Sequence, residues 1–170
     1  MRNDRVYLAG PEVFLPDADE IFRRKKEICS AFSLVGVSPL DNEVTRAGLP
    51  AARIARAIYR ANRRSMRTCG ACVANVTPFR GVGVDAGTAF EVGFMVAAGA
   101  VVFGYSHDRK PYRERVEALC GDNPAVAAHV GGGWSVEDFG LAENLMLPFG
   151  MEESGGALLS VQPEEGASIP

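Results

Sequence analysis

Apolar runs alternate with helix-period stripes along most of the chain. Arg5-Val-Tyr-Leu-Ala9 reads as a short strand, broken by Gly10-Pro11. In residues 17–33, Ile21, Phe22, Ile28, Cys29 and Phe32 form an apolar stripe opposite Arg23, Arg24, Lys25, Lys26 and Glu27, which predicts an amphipathic helix. Leu34-Val-Gly-Val37 predicts a second strand and residues 51–67 a second helix, with Gly48 and Pro50 as punctuation before it. Ala71-Cys-Val-Ala-Asn-Val76 has the unbroken apolar character of a buried parallel strand. The longest apolar stretch, Val92 to Tyr105, is divided by Gly93, Gly99 and Gly104 into helix, turn and strand, with Gly99 as the stop. A short helix is expected over 112–120, Gly131-Gly-Gly133 as a turn, and 136–147 as an apolar segment interrupted by Asn144. Strand and helix thus alternate at least four times, which predicts one doubly wound, three-layer α/β domain over residues 1–150. Residues 151–170 read as a polar tail, mobile at its end.

The helix after the third strand carries the candidate chemistry. Phe90, Val92, Phe94, Met95, Val96 and Ala97 surround Glu91, so the helix is expected to be buried on nearly every side. A carboxylate there is costly unless something binds it. Thr88 followed three residues later by Glu91 fits a capping box. The same carboxylate, kept ionised by the helix dipole and facing a cleft, also suits a glycosyl-transfer nucleophile.

Other loops fall at the carboxyl ends of the expected strands, where open α/β sheets bind ligands. Phe14, between Pro11 and Pro16, is either a core plug or an aromatic face for a planar ligand, and Tyr7 either packs or points its hydroxyl into the same cleft. Asp41, Asn42 and Glu43 form a polar cluster that serves turn chemistry or recognition of a base. Gly81, Gly83 and Gly87 miss the dinucleotide fingerprint, because the third glycine is displaced, and no Walker lysine is present.

Composition narrows the function classes. The 170-residue chain has 47% hydrophobic residues and a mean hydropathy near zero, as a globular domain does, and no apolar run is long enough to span a membrane. No secretory signal is read ahead of the first strand. A net charge of −3 speaks against a nucleic-acid polymer as partner. Against that balance, Arg53, Arg56, Arg60, Arg63, Arg64 and Arg67 share one helix, either as a solvated face or as a contact for a subunit or a phosphate. Cys69-Gly-Ala-Cys72 has redox spacing but leads into a strand rather than opening a helix, so both thiols are expected to be structural. Four unpatterned cysteines fit a reducing cytoplasm, and His107 and His129 lack metal spacing.

Taken together, Tyr7-Leu-Ala-Gly-Pro11, Asp41-Asn-Glu43, Ala74-Asn-Val-Thr-Pro-Phe-Arg-Gly81, Asp85-Ala-Gly-Thr-Ala-Phe-Glu-Val-Gly93 and Asn144-Leu-Met146 resemble the nucleoside 2-deoxyribosyltransferases, in the family's order. The resemblance implies a flavodoxin-like parallel sheet and exchange of the base of a 2′-deoxyribonucleoside by double displacement. Glu91 would be the nucleophile and Asp85 the proton shuttle. Tyr7, Gly10, Phe14, Asp41, Asn42, Asn75, Gly87, Asn144 and Met146 would bind substrate. Asn144 would be lent to a neighbouring subunit, which implies a homo-oligomer. Deoxynucleosides and free nucleobases would be the partners, with no metal or organic cofactor. Gly70 departs from the pattern, standing where the family usually places an aspartate that shapes the base site. A related N-glycosidic hydrolase and a non-catalytic nucleoside-binding module are the competing readings; the acidic, apolar loop after the first strand disfavours a 5′-phosphate.

Overall fold

The computed structural model describes residues 4–122 and 135–161. Five parallel strands, β1 (Arg5–Ala9), β2 (Val35–Val37), β3 (Ala71–Asn75), β4 (Val101–Ser106) and β5 (Ala157–Ser160), form one sheet in the order β2-β1-β3-β4-β5. This is the doubly wound order whose switch point lies between β1 and β3. Among the described residues, five α-helices accompany the strands: α1 (Ala18–Ala31), α2 (Ala51–Arg67), α3 (Ala86–Ala97), α4 (Tyr112–Asp122) and α5 (Met146–Glu153).

Strand alternation divides the core between the two faces. From β1, Val6 and Leu8 point to the side of α1, where Phe22 and Cys29 meet them together with Ala71 and Val73. Tyr7 and Ala9 point the other way, among Met66 of α2, Val92 and Met95 of α3, and Leu147 and Met151 of α5. The predicted layers, strands and central helix are therefore present. Gly99, with φ +75°, ends the α3 turn as expected, because that backbone region is closed to most other residues.

Several expectations need correction. The segment expected as a polar tail from 151 contains the end of α5 and the whole of β5, whose residues pair with Phe103 to Ser106 of β4. The domain's sheet therefore runs past residue 150. The capping box at Thr88 and Glu91 does not form: Asp85 is the N-cap of α3, its Oδ2 accepting the Thr88 N–H at 3.0 Å. Helix α3 is not buried all round, since Ala86, Phe90, Gly93 and Ala97 form an exposed apolar stripe. Gly70 sits at the amino edge of β3, its N–H on the Arg5 carbonyl, at the opposite end of the strand from the carboxyl-edge loops. His129 and residues 131–133 lie outside the described residues.

Candidate active site

At the carboxyl edge of β1 and β3 a cleft of about 480 Å³ opens, lined by Gly10, Phe14, Asn42, Asp85, Gly87 and Glu91, with Arg46, Thr88 and Asn62 among the further walls. Its floor is set by sheet and helix together. Tyr7, fully buried in β1, donates its hydroxyl to Glu91 Oε1 at 2.7 Å. Glu91 lies in the second turn of α3, six residues beyond the Asp85 cap, where it meets Tyr7 of the sheet. Burial pushes the Glu91 carboxyl up to about 7; the Tyr7 hydroxyl pulls it down and the Asp85 charge pushes it further up. Burial and then the Glu91 charge hold the Tyr7 hydroxyl far above its ordinary range, so it remains a donor.

Asp85 stands on the rim as both cap and cleft residue. Its Oδ2 accepts from the Thr88 amide and hydroxyl at 3.0 and 3.3 Å. Gly87 makes this fold-back possible, since a Cβ there would stand 2.9 Å from Asp85 Oδ2.

The loop after β1 is held from beneath by a residue that sequence reasoning passed over. Glu12 is 3% exposed, in a 3-10 turn spanning Pro11–Phe14. Its Oε1 accepts from Asn75 Nδ2 at 2.8 Å, from the Tyr105 hydroxyl at 3.0 Å and from the Lys25 ammonium. Gly10 is required here, because a Cβ would come within 2.0 Å of Glu12 Oε2. Asn75 therefore does not line the cleft; it sits below, its Oδ1 taking the Thr77 amide and hydroxyl. A buried acid directly after Gly-Pro was the available signal, but its partners come from α1, β3 and β4.

Phe14 is 53% exposed and stacks on Phe79 with ring centroids 5.6 Å apart. The Arg80 guanidinium lies 4.9 Å from the Phe14 centroid and 4.7 Å from that of Phe79. Arg80 has φ +56°, a left-handed backbone that costs a non-glycine residue about 1 kcal/mol. Phe14 is thus a cleft wall with an aromatic backing, not a core plug. Asn42 also lines the cleft, its amide group fixed by the Pro39 carbonyl, Asn62 and Ser65. Asp41 does not line it: its carboxylate takes the Ser38 N–H and the Lys26 ammonium.

Asn144 and Met146 lie elsewhere on the chain. Asn144 Nδ2 donates to Glu137 at 2.6 Å, and Oδ1 accepts the Met146 N–H at 3.1 Å. Both side chains are exposed and border a separate, mostly apolar groove between α3 and α5. Beside them, Arg115 is 6% exposed and pairs with Glu143 at 2.8 Å. The guanidinium also donates to the carbonyls of Val82, Lys110 and Ala142. It joins the loop leading to Asp85, the loop after β4 and the segment leading to Asn144. Burial pushes the Glu143 carboxyl up, against the pull of Arg115.

The family model described as nucleoside 2-deoxyribosyltransferase matches residues 6–146. The chain belongs to this family. It is 34% identical over 165 residues to an uncharacterized protein of Schizosaccharomyces pombe, a match covering 89% of this chain and 78% of that one. A 2-deoxyribosyltransferase of Leishmania mexicana has the same fold, with a TM-score of 0.65, 33% identity and 85% of each chain covered. A conserved protein of Enterococcus faecalis aligns with a TM-score of 0.58 at 20% identity over 95% of this chain and 92% of that one, which shows the fold alone. The cleft at the β1 and β3 edge thus belongs to a chain of nucleoside deoxyribosyltransferase type. Cys69 and Cys72 of the CxxC pair are both buried, and burial raises the Cys72 thiol well above its ordinary range. No helix among the described residues is long and apolar enough to cross a membrane.

Proposed function

We propose that this chain exchanges the nucleobase of 2′-deoxyribonucleosides through a covalent deoxyribosyl-Glu91 intermediate. The observation that carries the reading is the half-buried Glu91 carboxylate at the cleft floor, with one oxygen bonded to Tyr7 and Asp85 on the same rim. In the first displacement Glu91 Oε2 attacks the anomeric carbon as the bond to the base nitrogen breaks. The electron pair leaves with the base, which takes a proton relayed by Asp85. The carboxylate steadies the oxocarbenium character that develops and then captures it. In the second displacement a nitrogen of the incoming base attacks the same carbon, the Glu91–sugar bond breaks, and the proton returns through Asp85. Two inversions retain the β configuration.

Tyr7 supports this cycle by donating to the carboxylate when it leaves as an anion. The Phe14 ring, backed by Phe79 and Arg80, gives the base a face to stack on. Asn144 and Met146, exposed and away from the Glu91 cleft of their own chain, complete the site of a neighbouring copy in a homo-oligomer. The four unpatterned cysteines support a reducing cytoplasmic setting.

The test is incubation of the purified protein with deoxyinosine or thymidine, with and without adenine or cytosine, followed by chromatography. A new deoxynucleoside formed only with the acceptor base is the expected result. Free base and deoxyribose released regardless of acceptor would assign hydrolysis instead, and no turnover across donors would leave a binding module.

A further inference from the structure

Helix α2 carries six arginines and no acidic residue, in a chain of net charge −3. Arg53, Arg56, Arg60 and Arg64 recur at steps of three, four and four, which aligns them on one stripe of the helix. All four are exposed, and among the described residues none forms a salt bridge. Arg63 lies apart, over the Tyr59 ring at 5.5 Å. Like charges at this spacing weaken a helix, and Arg53 stands in the first turn, where the dipole disfavours a cation. Solubility alone calls for no such arrangement. Helix α1 shows the alternative, with Arg23 and Arg24 paired to Glu20 and Glu27.

The stripe also faces a concavity. The four arginines line a groove of about 780 Å³ together with Glu43, Val44 and Thr45. That volume lies within the range of small-molecule sites. Glu43 is the one acidic residue lining it, against four guanidinium groups, so the groove is strongly cationic. Guanidinium forks match phosphate oxygens bidentately.

We propose that this groove is a site for a short polyphosphate chain, free or carried by a nucleoside triphosphate, distinct from the Glu91 cleft. The chain's overall negative charge disfavours an extended nucleic acid, whereas a bounded groove suits a compact anion. Val44 lines both this groove and the Glu91 cleft, so the two sites share one residue of the loop between β2 and α2.

The test is calorimetric titration of the full chain with dATP, tripolyphosphate, deoxyadenosine and a short single-stranded oligonucleotide, at about 50 and about 200 mM salt. The same titrations are run on Arg56→Ala/Arg60→Ala, which keeps the helix because alanine is its best former; circular dichroism checks this. We expect dATP and tripolyphosphate to bind the native chain, to weaken with salt, and to lose about tenfold or more in affinity in the variant. Deoxyadenosine should bind both proteins alike. Equal affinities of dATP and tripolyphosphate place recognition in the phosphates alone, and a tighter dATP adds a contact to the nucleoside; both support the site. Binding of dATP unchanged in the folded variant, or absent from the native chain, overturns it. An oligonucleotide that binds more tightly than dATP through the same arginines also overturns it, in favour of a nucleic-acid surface.

Discussion

The Tyr7 hydroxyl reaches Glu91 Oε1 at 2.7 Å across a sequence separation of 84 residues. Strand β1 and helix α3 meet through this bond at the switch point of the sheet, and it opposes the burial that raises the Glu91 carboxyl to about 7. Tyr7→Phe removes a hydrogen bond to the ionised form, a contribution of about 1.5–3 kcal/mol for a charged acceptor. The Glu91 pKa then rises above 7, and the proposed nucleophile, which must be ionised, loses activity at neutral pH. We expect the acid limb of the kcat/KM profile to move up by about one unit or more, with most activity restored near pH 9. A limb that stays in place would show that another group controls it.

The same raised pKa makes a prediction about stability. A carboxyl at about 7 in the folded chain and near its ordinary value when unfolded binds more protons in the native state. Its favourable contribution is full below the unfolded pKa and is lost as pH rises through about 7. Glu91→Gln keeps an acceptor for Tyr7 but never ionises. It should therefore melt above the native chain at pH 8, by up to about 3 kcal/mol. The difference should shrink toward pH 5. Thermal melts at both pH values measure this, and equal melting temperatures throughout would refute the burial cost.

Arg115 and Glu143 offer a test independent of catalysis. Arg115→Met leaves a buried carboxylate without its cation, an arrangement that typically costs about 3–5 kcal/mol. Arg115→Met/Glu143→Leu removes both charges and should recover much of that loss. Denaturant unfolding of the native chain, both singles and the double completes the cycle. Additive losses would mean that the pair does not interact energetically.

How much of this was legible in the sequence follows from how local each feature is. Strands β1, β3 and β4 and the α3 segment are announced by apolar runs and by Gly99. Tyr7, Glu91 and Asp85 could be named as candidates because their motifs are contiguous. The strand β5 was missed because Ala157–Ser160 is four residues long, partly exposed, and set in a polar surrounding sequence. The expected cap at Thr88 gives way to Asp85 three residues earlier, which frees Glu91 for Tyr7, a partner that no local pattern reveals. Glu12 and Arg115 were passed over for the same reason, since each draws partners from three separate elements. Asp41 was read as turn or site, and its Lys26 and Ser38 contacts are those of turn structure.

The Phe14 stack tests the proposed position of the base. Phe14→Ala removes the exposed ring and leaves Phe79 and Arg80 without their outer layer. An aromatic pairing contributes about 0.5–1.5 kcal/mol beyond buried area, so KM for the nucleoside should rise about three- to tenfold. Because Phe14 touches neither Glu91 nor Asp85 by hydrogen bond, kcat should change less. A variant with unchanged KM would move the base to another wall of the cleft.

Asn144 gives the test of site sharing. In its own chain its amide is engaged by Glu137 and the Met146 backbone, and it does not line the Glu91 cleft. If it serves a neighbouring copy, Glu91→Ala and Asn144→Ala subunits are defective in different halves of one composite site. Each variant alone should be nearly inactive or strongly impaired. Co-expressed at equal amounts and assembled together, they place an intact Glu91 beside an intact Asn144 in about a quarter of sites, by random pairing across a shared interface. Activity should therefore rise to about that fraction of the native level, with sedimentation confirming the mixed oligomer. Co-expressed subunits that assemble but show only the average of the two single variants would place Asn144 outside the shared site.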